Sequence, residues 1–303
     1  MLSSVVKIFY LIASSLLFAQ NVAVREFFDD FNYTDSRDTL LHQRGWTLVD
    51  GKRGPPEGTQ YSQENIIFAA DARHPENRNM YLLTSTTNTR ESMRLARIET
   101  AIMFHEGTYA ARIFFDNSMR KTQDANIQTF YAINRLAFPG DSMYSECDIE
   151  YLPFDVWNTE GNTKSKLYLS TWETYREEPW FADHAVDTLA QHQAGWHILL
   201  FQVTNGNSVK YYIDNKPEAL VEHCCSPMGS SVYPESPMQI AFANWIFINN
   251  TVALGKSTIS RTSRMGVDWV YHIKDSALSV NEVKRRVREL QKQSVHFIFT
   301  IRE

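Results

Sequence analysis

The chain has 303 residues, with 30 Lys and Arg against 35 Asp and Glu and a formal net charge of −5. That mildly acidic balance excludes a general nucleic-acid binder, which would carry a basic excess. Three cysteines, Cys147, Cys224 and Cys225, are too few for a disulfide scaffold, so the fold must rest on its apolar core.

Residues 1 to 19 read as a secretory signal: Lys7 near the start, the apolar run Ile8 to Ala13, then Leu16-Leu17-Phe18-Ala19 before Gln20. Cleavage is expected after Ala19, with Ala23 as second choice. An uncleaved anchor is the alternative, although the apolar run is too short to span a bilayer. No other stretch resembles a membrane helix. The mature protein is therefore expected to be secreted (extracellular or periplasmic), off the membrane, and monomeric.

From there the chain is a succession of short strand-like runs separated by turn residues. They fall at Glu26 to Phe31, Met80 to Thr84, Met93 to Thr100, Gly107 to Phe115, Gln128 to Ile133 and Glu146 to Leu152. Further runs follow at Lys166 to Trp172, Trp196 to Thr204, Val209 to Asp214, Met238 to Phe247 and Met265 to His272. Gly51 to Gln63, Asp116 to Asn126 and Arg176 to His192 read as loops. No repeat or low-complexity linker divides the chain, so residues 20–278 are expected to form one all-β domain, an antiparallel sandwich. Ser279-Val280-Asn281-Glu282 is a capping box opening a basic amphipathic helix to about Gln293, its cations read as a solvated face. Val295 to Ile301 completes the tail, 279–303, as a strand or ordered end.

The densest chemistry lies in Ser145 to Tyr151. Alternate residues of a strand share a face, so Glu146, Asp148 and Glu150 project to one side and Cys147, Ile149 and Tyr151 to the other. Carboxylates in a row repel and weaken a strand, which points to a use for the charge, such as a nucleophile paired with a proton donor. A plain solvated sheet face is the competing reading. Carboxylates are also hard ligands, so a structural calcium on the same oxygens is an alternative use of the row. No cofactor is expected, and no catalytic metal site is evident from ligand spacing. The aromatic content (18 Phe, 14 Tyr, 7 Trp) suits a sugar-binding cleft as well as a core. Trp157, Trp172, Trp180 and Trp245 are candidate sugar platforms. Trp46, Trp196 and Trp269 sit among apolar strand residues and are assigned to the core. His197 reads as a satisfied strand histidine, Cys147 as a buried thiol, and Cys224 and Cys225 as neighbouring free thiols in a loop, with a strained vicinal disulfide as the alternative.

Glu146-Cys147-Asp148-Ile149-Glu150 resembles the Glu-x-Asp-x-Glu signature of glycoside hydrolase family 16, and flanking segments agree in order. Phe28-Asp29-Asp30-Phe31 with Trp46 is similar to the opening strand, and Gly107-Thr108-Tyr109 to Arg112 to the strand leading toward the centre. Trp196-His197 through Tyr211-Tyr212-Ile213-Asp214 resembles the paired strands, and Pro237-Met238, Asn244-Trp245 and Val267-Asp268-Trp269-Val270 the closing ones. The likeness spans roughly residues 26 to 275, with Trp172 standing where many members place a histidine. It implies a concanavalin-like jelly roll that cleaves internal β-glycosidic bonds of a polysaccharide, of glucan or galactan type, with retention of configuration. Glu146 would be the nucleophile, Glu150 the general acid/base and Asp148 their electrostatic partner. A glucan transglycosylase, or a lectin-like sandwich without turnover, are the alternatives.

Overall fold

The computed structural model describes residues 25–52, 59–71, 75–87, 89–120, 124–157, 164–189, 194–216, 220–248 and 259–301. The expected signal segment, residues 1–19, lies outside them. The first strands are β1 (Glu26–Asp29), β2 (Trp46–Leu48), β3 (Gly51–Lys52), β4 (Gln60–Tyr61), β5 (Ile66–Ala70), β6 (Arg78–Thr86), β7 (Arg94–Phe104), β8 (Gly107–Phe115) and β9 (Asn126–Asn134). Then come β10 (Ser145–Leu152), β11 (Lys166–Arg176), β12 (Phe181–Leu189), β13 (Gly195–Thr204), β14 (Ser208–Ile213), β15 (Val221–His223), β16 (Met238–Ile246), β17 (Arg261–Lys274) and β18 (Phe297–Phe299). Two helices accompany them, α1 (Thr39–Gln43) and α2 (Val280–Lys292).

These strands form an antiparallel β-sandwich of jelly-roll type. The front sheet runs β2–β7–β16–β9–β10–β11–β12, every pair antiparallel. The back sheet runs β15–β14–β13–β8–β17, and the far edge of β17 is shared by β6 and β1, with β5 and β18 beyond them. The sheets meet at the start of β7, which touches β6 and runs parallel to β4.

Alternation along each strand fills the space between the sheets. Cys147, Ile149 and Tyr151 of β10 are fully buried there with Phe130 of β9 and Leu199, Phe201 and Val203 of β13. Rings cross the gap directly, Phe130 to Phe201 at 5.4 Å and Tyr151 to Phe115 at 4.8 Å between centroids. Gly107 opens β8 at φ +144°, where a Cβ would lie 2.1 Å from the Ile273 carbonyl oxygen, so only glycine lets β8 and β17 close there.

Three expectations change. Within the expected loop Arg176 to His192, Phe181 to Leu189 is the edge strand β12, paired on one side only and with outward polar residues that mask its period; residues 190–192 lie outside the described set. Gly51 to Gln63 contains the short β3–β4 pair around residues outside the described set. Trp196 is half-buried rather than core, its ring covered by the Arg112 guanidinium at 4.3 Å. Trp46 and Trp269 are buried.

α2 seals the outer face of the back sheet. Val280, Val283, Val287 and Leu290, one apolar stripe at helical spacing, pack on Phe28, Ala110, Ile198, Leu200, Trp269 and Tyr271. The capping box forms: Ser279 accepts from the Glu282 amide at 3.3 Å, and Glu282 accepts from the Ser279 amide at 2.8 Å. Ser279→Ala should remove about 1 kcal/mol, a fall in Tm of roughly 2–4 °C for a domain of this size. An unchanged calorimetric Tm would mean that α2 unfolds independently of the sandwich.

Candidate active site

The outer face of the front sheet is built by register. On β10, Glu146 pairs with Ile133 of β9 and Trp172 of β11, Asp148 with Tyr131 and Ser170, and Glu150 with Thr129 and Tyr168. Directly opposed residues of antiparallel strands share a face. The three carboxylates therefore stand in one line, with their neighbours' side chains on either side. Beyond β9, the strand β16 presents only Ala241 and Ala243 beside Tyr131 and Thr129. With Ser170 on the other side, these small side chains flank the Asp148–Tyr131 pair.

Each acid has its own surroundings. Glu146 is half-buried and accepts a hydrogen bond from the Tyr144 hydroxyl and another from Asp148. Asp148 is buried and receives the Trp172 indole N–H at 2.9 Å. Glu150 is half-buried, with the Thr129 hydroxyl 3.4 Å away. Burial raises the Glu146 carboxyl to about 6, against the lowering pull of its two donors and the Arg97 charge. Burial and then the charge of Glu146 raise Glu150 further, to about 8. Asp148 is held well above the usual carboxylate range by burial and by the negative charge of both neighbours, so it is the proton donor in its bond to Glu146. The lowest proton affinity of the three is thus at one end of the row, on Glu146, with Asp148 and Glu150 both held higher.

Aromatic groups gather at both ends of the row. Beside Glu150 lie Tyr168, Trp157, Phe247 and Trp245, with Trp157 4.8 Å from Tyr168 and 6.1 Å from Phe247. Beside Glu146 lie Tyr144, Tyr175, Trp172 and Trp180, linked by centroid distances of 5.3–6.4 Å. Trp157 and Trp245 are half-buried and Trp180 is 67% exposed, at the turn before β12. Trp172, the fourth candidate platform, is half-buried. One face of its indole stacks on His184 at 4.0 Å and 9°, and its N–H is committed to Asp148. Its position directly opposite Glu146 makes it part of the acid cluster.

Residues unforeseen in the sequence complete the face. Tyr144, Thr129, Tyr131, Tyr168, Tyr175 and His184 carry no motif, yet alternation on β9 and β11 would have found most of them once the register was known. Arg97 of β7 lies over the Tyr131 ring at 5.7 Å and 2.8 Å from Glu99, which also binds Arg135. His197 is tied to Asp214 at 2.9 Å in the back sheet, away from the acids. Cys147 is a buried free thiol, and Cys224 and Cys225 are exposed free thiols. Among the described residues no group of His, Cys, Asp and Glu is arranged to hold a metal ion.

Neither a family model nor a curated protein matches the chain. Solved structures do. The β-glucanase of Bacillus licheniformis superposes with a TM-score of 0.55 at 15% identity, over 83% of this chain and 99% of that one. A Bacteroides ovatus glycoside hydrolase family 16 protein for mixed-linkage glucan, solved with a product, gives 0.57 at 16% identity over 80% and 98%. A Zobellia galactanivorans protein in complex with laminaritriose and laminaritetraose gives 0.54 at 12% identity over 82% and 98%. At such identities the likeness is one of architecture, and in architecture this chain is a sandwich of the kind seen in family 16 β-glucanases.

Proposed function

We propose that the chain is a member of glycoside hydrolase family 16 that cleaves internal β-glycosidic bonds of a polysaccharide, a β-glucan in the first instance, with retention of configuration. The observation that carries this reading is the line of three carboxylates on the outer face of the front sheet, with Glu146 and Glu150 at its two ends; burial raises Glu146 to about 6 and Glu150 further, to about 8. A retaining glycosidase needs an ionised nucleophile beside a protonated acid at one pH.

The Glu146 carboxylate attacks the anomeric carbon. The bond to the leaving oxygen breaks, and Glu150 gives that oxygen its proton. Esterification removes the charge of Glu146, one of the causes that hold the Glu150 proton. The proton affinity of Glu150 then falls, which suits its second task of taking a proton from water as the hydroxyl oxygen attacks the anomeric carbon and frees Glu146. Tyr144 and protonated Asp148 donate to Glu146 as a carboxylate and orient it, while Trp172 holds Asp148. The aromatic groups at the two ends would stack on sugar rings either side of the broken bond.

Reducing-end release from a panel of β-glucans and galactans, with wild type and Glu146→Gln side by side, tests the reading. Release by wild type alone is expected. Binding without release by either protein would favour the lectin-like alternative.

Trp172→Phe separates positioning from platform. Phenylalanine keeps the stack on His184 and loses the N–H to Asp148, a bond whose net contribution is about 1–1.5 kcal/mol. The expected result is kcat lower by roughly tenfold with KM little changed. A rise in KM at constant kcat would restore Trp172 as a sugar platform.

Intact polysaccharide is too large to enter a cell freely, and residues 1–19 have the pattern of a signal. Export is therefore part of the proposal, and N-terminal sequencing of protein recovered from the medium should begin at Gln20.

A further inference from the structure

The molecule's second concentration of unused charge lies on the opposite side from the acids. A groove of about 560 Å³ lies between α2 and the residues Asp71 and Asn77, on the outer face of the back sheet. Lys284, Arg288 and Lys292 line its helical wall at successive i, i+4 positions, about 6 Å apart along the axis. Arg112 and Asp268 stand on its floor, paired at 2.5 Å. Asp71, on the far wall, accepts from Asn79 at 3.0 Å.

The wall is unusual on two counts. The chain as a whole is acidic, with a net charge of −5, so a run of cations is not a by-product of general basicity. Like charges at i, i+4 also disfavour the helix that carries them. Of the other two cations of α2, Arg286 pairs with Glu26 and Glu289, and the exposed Arg285 does not line the groove. Among the described residues Lys284, Arg288 and Lys292 have no ion-pair partner; Arg288 and Lys292 are exposed and Lys284 is half-buried. An unneutralised row of three cations beside a groove is complementary to a polymer bearing an anionic group on successive units.

We propose that this groove is a second, non-catalytic carbohydrate site that takes a segment of anionic polysaccharide, carboxylated or sulfated, while the acid row works on another stretch of polymer. The anionic character of the ligand follows from the groove itself. Its carbohydrate class rests on the function proposed above.

The test is affinity electrophoresis and titration of the full chain with polygalacturonate and a sulfated galactan, beside a neutral soluble β-glucan. The variant is K284Q/R288Q/K292Q, whose glutamines favour a helix about as well as the residues they replace, so its Tm should match wild type. Wild type should bind both polyanions, more weakly as salt rises. Each unit-charge contact in water contributes roughly a factor of five. The triple variant should therefore lose about a hundredfold in affinity for the polyanions at low ionic strength, with hydrolysis of the neutral glucan unchanged. Equal binding by variant and wild type, or no binding by wild type, overturns the site. Tighter binding of double-stranded DNA or phosphatidylglycerol vesicles than of either polyanion overturns its carbohydrate assignment. Binding that depends on these cations in a protein that cleaves no glycan would leave the site standing and the catalytic reading fallen.

Discussion

Glu146→Ala should lower kcat on β-glucan by on the order of a millionfold, the scale at which removing a covalent nucleophile acts in other hydrolases, while the fold persists. The carboxylate is half-buried on the outer face of the front sheet, opposite Trp172 and Ile133, so its truncation leaves the Cys147–Ile149–Tyr151 side of β10 untouched. Removing a buried charge that the surroundings hold at a raised proton affinity also relieves a cost to the folded state. Tm should accordingly not fall. Azide supplies the sharper readout. With an activated aryl glycoside, a small anion can occupy the vacated space and attack from the nucleophile's side as the leaving group departs. The product is a glycosyl azide of inverted configuration, identified by its proton coupling constant. Near-normal turnover in Glu146→Ala, or an azide product of retained configuration, would exclude the covalent mechanism.

How much of this could be read beforehand depended on which physical signal each element carries. Strands buried on at least one face declare themselves by alternation. Gly107 to Phe115 forms over the full span expected, and Glu146 to Leu152 lacks only Ser145. The helix start was equally legible, because a capping box is local chemistry. Edge elements were not. Phe181 to Leu189 pairs on one side, exposes Val186, Asp187 and Thr188, and so lacks the period that marks a strand. β2, β3, β4 and β15 are two or three residues long, too short to show a period, and β2 and β4 form on β7, which is distant in sequence.

The site divides along the same line. The acid row is a pattern within one strand and needed no partner to be seen. Tyr131, Thr129, Ser170 and Tyr168 come to the row through the registers of β9 and β11, and register is decided by the whole sheet. Tyr144 lies just before β10, and nothing local distinguishes it from other tyrosines until its hydroxyl meets Glu146. The tryptophans show the limit of reading by residue type. Trp172 and Trp180 look alike in the sequence, yet one is stacked on His184 and bonded to Asp148 while the other stands in solvent.

The proton affinities of the row make the final prediction, in which activity and stability move in opposite directions. With Glu146 titrating near 6 and Glu150 near 8, kcat/KM should follow a bell with its limbs near those values and its top close to pH 7. Below the acid limb the nucleophile is protonated, and above the alkaline limb the acid has lost its proton. Glu150→Gln should cost about 10²–10⁴ in rate on substrates whose leaving group needs a proton. On an aryl glycoside with a good leaving group the first step should survive, the acid limb should remain, and the alkaline limb should vanish. Stability carries the opposite sign. Burial and the charge of Glu146 raise the folded-state affinity of Glu150 above its unfolded value of about 4.5, so the protonated form is the one that folding favours. Its contribution is complete below about pH 4.5 and is lost as pH rises through about 8. Glutamine cannot ionise and escapes that loss. Glu150→Gln should therefore melt at or near the wild-type temperature in acid and above it at pH 9. An alkaline limb that persists in Glu150→Gln would remove Glu150 as the proton donor, and a Tm advantage confined to acid would contradict the raised affinity on which the assignment rests.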